Sequence, residues 1–165
     1  MLETRDLTIR FGGHVAVDGV SCAFAPGTLT AIVGPNGAGK TTYFNLISGQ
    51  LRASAGSVRL GGVDITRESA SARTHRGLGR AFQLTQLFAG LSVLENVRLQ
   101  ARRDAPASSL PHGDQRKLEV AMLMALEPSV FMFDEPTAGM SSSDVPVILD
   151  LIRMLKADAT KTVLL

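Results

Sequence analysis

Cysteine is nearly missing from this chain. Cys22 is the single one, so no disulfide can form within the chain, and the composition fits a reducing compartment. Long apolar runs are absent as well: nothing approaches the roughly 18 consecutive apolar residues that a bilayer-crossing helix needs. The first residues, Met1-Leu2-Glu3-Thr4-Arg5-Asp6, carry charge where a secretory signal would need an apolar core. Neither sign of charge dominates. With 17 Lys and Arg against 15 Asp and Glu, the net charge is +2, too little to argue for nucleic acid or an anionic membrane surface. No internal repeat is visible. What is there is an ordinary globular composition, 45% hydrophobic and 19% charged over 165 residues, enough for one domain with its own core. A soluble, cytoplasmic domain is the expectation.

The most informative stretch is Gly34-Pro35-Asn36-Gly37-Ala38-Gly39-Lys40-Thr41-Thr42. It follows the apolar run Leu29-Thr30-Ala31-Ile32-Val33, read as a buried strand, and leads into a helix near Lys40. Strand, GxxxxGK[ST] and helix in that order make a P-loop. Glycines at 34, 37 and 39 allow backbone angles that side chains would forbid. The loop's N–H groups can then cradle phosphate oxygens at the positive end of the helix. Lys40 is placed to reach the β- and γ-phosphates, and the Thr41 hydroxyl to hold Mg²⁺.

Around the P-loop, strands and helices alternate. Residues 2–10 read as a first strand, Phe11-Gly12-Gly13 as a turn, and 15–17 with 20–24 as further strand. Thr41 to Ser48 reads as a helix stopped by Gly49. Residues 57–65 read as a hairpin closed at Gly61-Gly62. The basic stretch 66–80, with Arg67, Arg73, Arg76 and Arg80, reads as a solvated helix and loop. Residues 93–97 suggest a short helix and 100–109 a linker. After Gly113 a helix is expected to bury Leu118, Ala121, Met122, Ala125 and Leu126. Pro128 ends it, and Val130-Phe131-Met132-Phe133 forms an apolar strand. A last helix presents Val145, Ile148, Leu149, Ile152 and Leu155, with Ser143 as cap and Pro146 in its first turn. Thr162 to Leu165 starts another buried strand. The expected fold is α/β, a mainly parallel sheet flanked by helices with an antiparallel region from the N-terminal hairpins.

The apolar strand 130–133 ends in Asp134-Glu135. In open α/β sheets the ligand crevice lies at the strands' carboxyl ends. Asp134 can bind Mg²⁺ there, through water. Glu135, one residue on, points differently and is a candidate to polarise a water for in-line attack on the γ-phosphate.

The P-loop, Gln83, Leu110-Pro111-His112-Gly113-Asp114-Gln115 and Phe131–Pro136 together resemble the ATP-binding cassette of ABC transporters. The wording of Gly77-Leu78-Gly79-Arg80-Ala81-Phe82-Gln83, of Val93–Val97 and of Asp134–Met140 is similar to the ATPase subunits of bacterial branched-chain amino-acid importers. That likeness implies a P-loop NTPase fold over 1–165 with a reduced helical subdomain at 84–115. It implies ATP and Mg²⁺ as cofactors, with Phe11 stacking on adenine and Gln83 touching Mg²⁺ and the attacking water. Leu110, Pro111, His112, Gly113, Asp114 and Gln115 would cap the γ-phosphate of ATP on an opposite cassette. Implied partners are permease subunits and a second cassette, a periplasmic solute-binding protein only indirectly, and no nucleic acid. The implied location is the inner face of the cell membrane.

Three features depart from the family pattern. In the signature, Pro111 stands for the usual serine and His112 for a glycine, removing phosphate donors. Only 26 residues separate Gln83 from Leu110, short for a helical subdomain. The strand that precedes the family's switch histidine ends the chain, and Ser141 replaces the D-loop aspartate; His14, His75 and His112 stand elsewhere. The expectation is therefore ATP binding with slow hydrolysis. The alternatives are a degenerate nucleotide-binding module and a soluble ABC-type ATPase without a membrane partner.

Overall fold

The computed structural model describes residues 1–81, 122–137, 142 and 145–165. Two four-stranded sheets face each other across one helix. The first is antiparallel, with β1 (Leu2–Phe11), β2 (His14–Phe24), β4 (Ala55–Leu60) and β5 (Val63–Asp64) in the order β2-β1-β4-β5. The second is parallel, with β3 (Leu29–Thr30), β6 (Leu78–Ala81), β7 (Val130–Phe133) and β8 (Thr162–Leu164) in the order β3-β8-β7-β6. The helices are α1 (Lys40–Ser48), α2 (Ala70–His75) and α3 (Val145–Ala157), with residues 122–125 also helical. Parallel strands joined through helices, beside antiparallel hairpins, are what the sequence leads one to expect.

In β1 the apolar positions Leu2, Leu7 and Ile9 break strict alternation, yet all three are buried. A bulge reconciles them. Pairing with β2 shifts between Thr4 and Leu7, and Asp6 takes a φ of 46°. The extra residue turns the strand back to its buried face. Gly56 is obligatory beside it, because a Cβ there would run into the Asp6 carbonyl. The Gly61-Gly62 turn closes the β4–β5 hairpin with φ of 58° and 83°, the left-handed pair that a two-residue hairpin turn demands.

Helix α1 lies between the sheets. Its Phe44, Leu46 and Ile47 join Leu2, Leu7 and Phe24 of the antiparallel sheet and Leu78, Val130 and Met132 of the parallel one in a single core. Strand β7 is buried on both faces, as parallel strands are. Val130 and Met132 point to that first core, while Phe131 and Phe133 pack with Leu123, Ile148, Ile152 and Leu155 in a second.

Four local expectations are corrected. The stretch 66–80 is a largely exposed helix and loop up to Arg76, as expected, but not throughout. Leu78–Ala81 is a strand paired with β7, and Arg73 is only 2% exposed. Ladder pairing after Pro26-Gly27 covers Leu29–Thr30 rather than the whole run to Val33, and Val33 is 87% exposed because the backbone there already turns toward the P-loop. In the helix before Pro128, Leu123 is buried, whereas Ala125 and Leu126 face outward; the helix ends there and Leu126 falls in the turn. Leu149 of α3 is 40% exposed, at the edge of the buried stripe. Leu118, Ala121, residues 93–97, 100–109 and Ser143 lie outside the described residues.

Candidate functional site

The loop from Gly34 to Gly39 links β3 to α1 at the carboxyl end of the parallel sheet. Its shape depends on glycine. Gly37 and Gly39 sit at φ of 83° and 85°, and a Cβ on Gly39 would collide with the Ala16 carbonyl of β2. Lys40 opens α1 and folds back over the loop, its Nζ donating to the carbonyls of Gly34 at 2.7 Å and Pro35 at 3.0 Å. These bonds keep the ammonium over the loop.

Strand β7 delivers Asp134, which is 4% exposed. The Thr41 hydroxyl lies 3.5 Å from Asp134 Oδ1. Two hard oxygens on separate elements thus face one another, a donor pair that suits Mg²⁺ completed by phosphate and water. No group of three or more His, Cys, Asp or Glu side chains converges on one point among the described residues. Glu135 follows in a left-handed backbone, φ 50°. A non-glycine residue in that region is uncommon and tends to mark functional sites.

Phe11, His14, Ala16, residues 36–42 and Glu135 line one cleft of about 530 Å³. Phe11, at the β1–β2 turn, is 49% exposed, a ring at the cleft rather than one packed on the sheet. The cleft therefore brings together Phe11, the P-loop and Glu135, with Asp134 behind Thr41. Gln83 and Leu110, Pro111, His112, Gly113, Asp114 and Gln115 lie outside the described residues.

Three comparisons bear on this arrangement. The family described as "ABC transporter" matches residues 17–138. The chain belongs to the ABC transporter family. It is an ABC-type ATPase, an ATP-binding subunit of the kind that couples ATP hydrolysis to transport.

Among curated relatives of this ABC ATPase, the high-affinity branched-chain amino acid transport ATP-binding protein BraF of Pseudomonas aeruginosa is 30% identical over 205 residues, spanning 100% of this chain and 80% of BraF. LivG of Escherichia coli, named for the same transport, is 28% identical with the same coverage. MlaF of Haemophilus influenzae, an intermembrane phospholipid transport ATP-binding protein, is 33% identical over 94% of this chain and 69% of its own length. The BraF match runs over 205 residues against 165 here, so the ABC ATPase is shorter within the matched span. Among solved structures, the ADP conformation of MJ1267, an ATP-binding cassette of an ABC transporter, is 27% identical, with a TM-score of 0.87 over 99% of this chain and 79% of that one.

One residue of the ABC ATPase site escapes the sequence reading. Arg80, placed there in a solvated basic run, is buried, and its Nη2 donates to Asp134 Oδ2 at 3.1 Å; the two side chains are 5% and 4% exposed. Burial lowers the guanidinium's pKa from its ordinary value, and the Asp134 carboxylate opposes that shift. The available signal was the apolar frame Leu78-Gly79-Arg80-Ala81, since a charge on a buried strand must find a partner.

Proposed function

We propose that this ABC ATPase binds Mg·ATP in the cleft beside Phe11 and energises a bacterial importer, with branched-chain amino acids as the solute class. The observation that carries the reading is the meeting of the P-loop, Asp134, Glu135 and Phe11 at one end of the parallel sheet. The solute class rests on the likeness to BraF and LivG.

In this reading, residues 34–42 cradle the phosphates with their N–H groups, and Lys40 exchanges its loop carbonyls for β- and γ-phosphate oxygens. Thr41 and Asp134 would hold Mg²⁺, Gln83 joining them. The ion would neutralise charge developing on the phosphate oxygens. Glu135 accepts a proton from the attacking water, and Phe11 stacks on the base. Leu110–Gln115 caps the γ-phosphate across a dimer of cassettes, and the shortened 84–115 region docks on permease subunits at the inner membrane face.

Single-turnover hydrolysis tests the chemistry. Glu135→Gln should slow it on the order of 100-fold, the usual contribution of a general base, while nucleotide affinity stays within about twofold; equal rates would remove Glu135 from the reaction. Co-purification tests the partner. Hydrophobic permease subunits should come down with the tagged chain from its native membranes, and their absence would favour a soluble ATPase.

A further inference from the structure

We propose that Arg80 is a positioning residue: it holds Asp134 so that one carboxylate oxygen faces the P-loop threonine, and it thereby sets the affinity for the divalent cation. This rests on the reading of Thr41 and Asp134 as the cation site.

The two oxygens of Asp134 have different partners. Oδ1 faces the Thr41 hydroxyl at 3.5 Å, and Oδ2 accepts from Arg80 Nη2 at 3.1 Å. The arginine is itself fixed by the helix that carries Thr41. Its Nη1 donates to Asn45 Oδ1 at 2.6 Å and Ser48 Oγ at 2.9 Å, and its guanidinium carbon lies 5.8 Å from the centre of the Phe44 ring. Positions 44, 45 and 48 share one face of α1, one to two turns beyond Thr41. Arg80 therefore bridges the P-loop helix and the end of β7, fixing the distance between the two cation-facing oxygens and the rotation of the carboxylate. A planar fork can serve helix and carboxylate at once, which a lysine ammonium cannot. Groups that orient a metal-binding carboxylate in this way commonly govern affinity for the ion by 10- to 100-fold.

The test is a calorimetric titration with the β,γ-imido analogue of ATP, in EDTA and across a Mg²⁺ series, with Mn²⁺ binding followed by electron paramagnetic resonance. Arg80→Lys is expected to weaken Mg²⁺ and Mn²⁺ binding by about 10-fold and to leave analogue affinity in EDTA within about twofold. Should that variant fail to fold by circular dichroism, Ser48→Ala, which keeps both charges and removes one anchor, should weaken cation binding about threefold. Wild-type cation affinity in the folded variants, or an equal loss with and without Mg²⁺, overturns the proposal. A wild-type protein whose analogue binding ignores Mg²⁺ overturns instead the cation site on which it rests.

Discussion

Arg73 shows how one side chain can organise the back of the site. Its guanidinium, 2% exposed, donates to the carbonyls of Leu46 at 2.7 Å, Ile47 at 2.6 Å, Thr66 at 2.7 Å and Glu68 at 3.2 Å. The first two belong to the last turn of α1, where the dipole favours a cation, and the Leu46 carbonyl also accepts from the Gly49 amide at 3.3 Å. Gly49, at φ 83°, leaves the space it occupies; a Cβ there would come within 2.8 Å of Arg73 Nε. Burial lowers the guanidinium's pKa, with Glu68 and Asp64 opposing. Arg73→Met should cost about 3 kcal/mol in urea unfolding, since it strands several buried carbonyls, and Arg73→Lys should recover only part, because one ammonium cannot span four acceptors. Arg73 was not legible in sequence, and Arg80 only through the apolar frame around it. Both sit in a run rich in charge, where the usual inference is a solvated face, and only the tertiary structure reveals that most of their partners lie 26 to 54 residues away in the chain. The P-loop residues and Asp134, by contrast, were legible, because their spacing and their place at strand ends are local properties.

At the scale of elements, the same contrast separates β7 from β6. Val130–Phe133 announces itself as four apolar residues before paired acids. Leu78–Ala81 is just as long, but Gly79 and Arg80 interrupt its apolar pattern. Gly79 is there for contact: a Cβ would press on Leu123 and Pro128, which lie over the strand. Helix α1 was readable from its Gly-Lys-Thr start and its glycine stop, and the structure places it at Lys40–Ser48. The turn from α3 into β8 is held by Asp158, whose Oδ1 accepts from the Thr160 amide at 2.9 Å and hydroxyl at 2.6 Å. Those bonds favour the carboxylate, and its pKa is lowered from the ordinary value. A folded-state pKa below the unfolded one gives stability that is full above the ordinary carboxylate pKa, about 4, and is lost as pH falls through the lower folded value. Asp158→Ala should therefore lower the melting temperature slightly at pH 7, with the gap to wild type closing as the pH falls through the carboxylate's lowered folded-state value. A gap that persists unchanged in acid would assign the loss to something other than this charge.

For the whole molecule, the α/β architecture follows from which faces are apolar. An antiparallel sheet with one buried face and a parallel sheet with two can share α1 between them, and this layering puts the carboxyl ends of β3 and β7 beside the β1–β2 turn. The cleft with Phe11 on one side and Glu135 on the other is a product of that layering, which no local motif encodes. Membership of the ABC transporter family, matched over residues 17–138, accords with the architecture, and no helix among the described residues is long and apolar enough to cross a membrane. Everything proposed for this cleft depends on Mg·ATP settling there through the P-loop and Asp134. Isothermal titration of folded protein with Mg·ATP tests it most directly. One saturable site per chain is expected, with an affinity that falls at least about 10-fold in Lys40→Ala, the loss of a charged phosphate contact worth about 1.4 kcal/mol or more. No binding heat from folded wild-type protein at any temperature, or equal affinity in the Lys40→Ala variant, would contradict it.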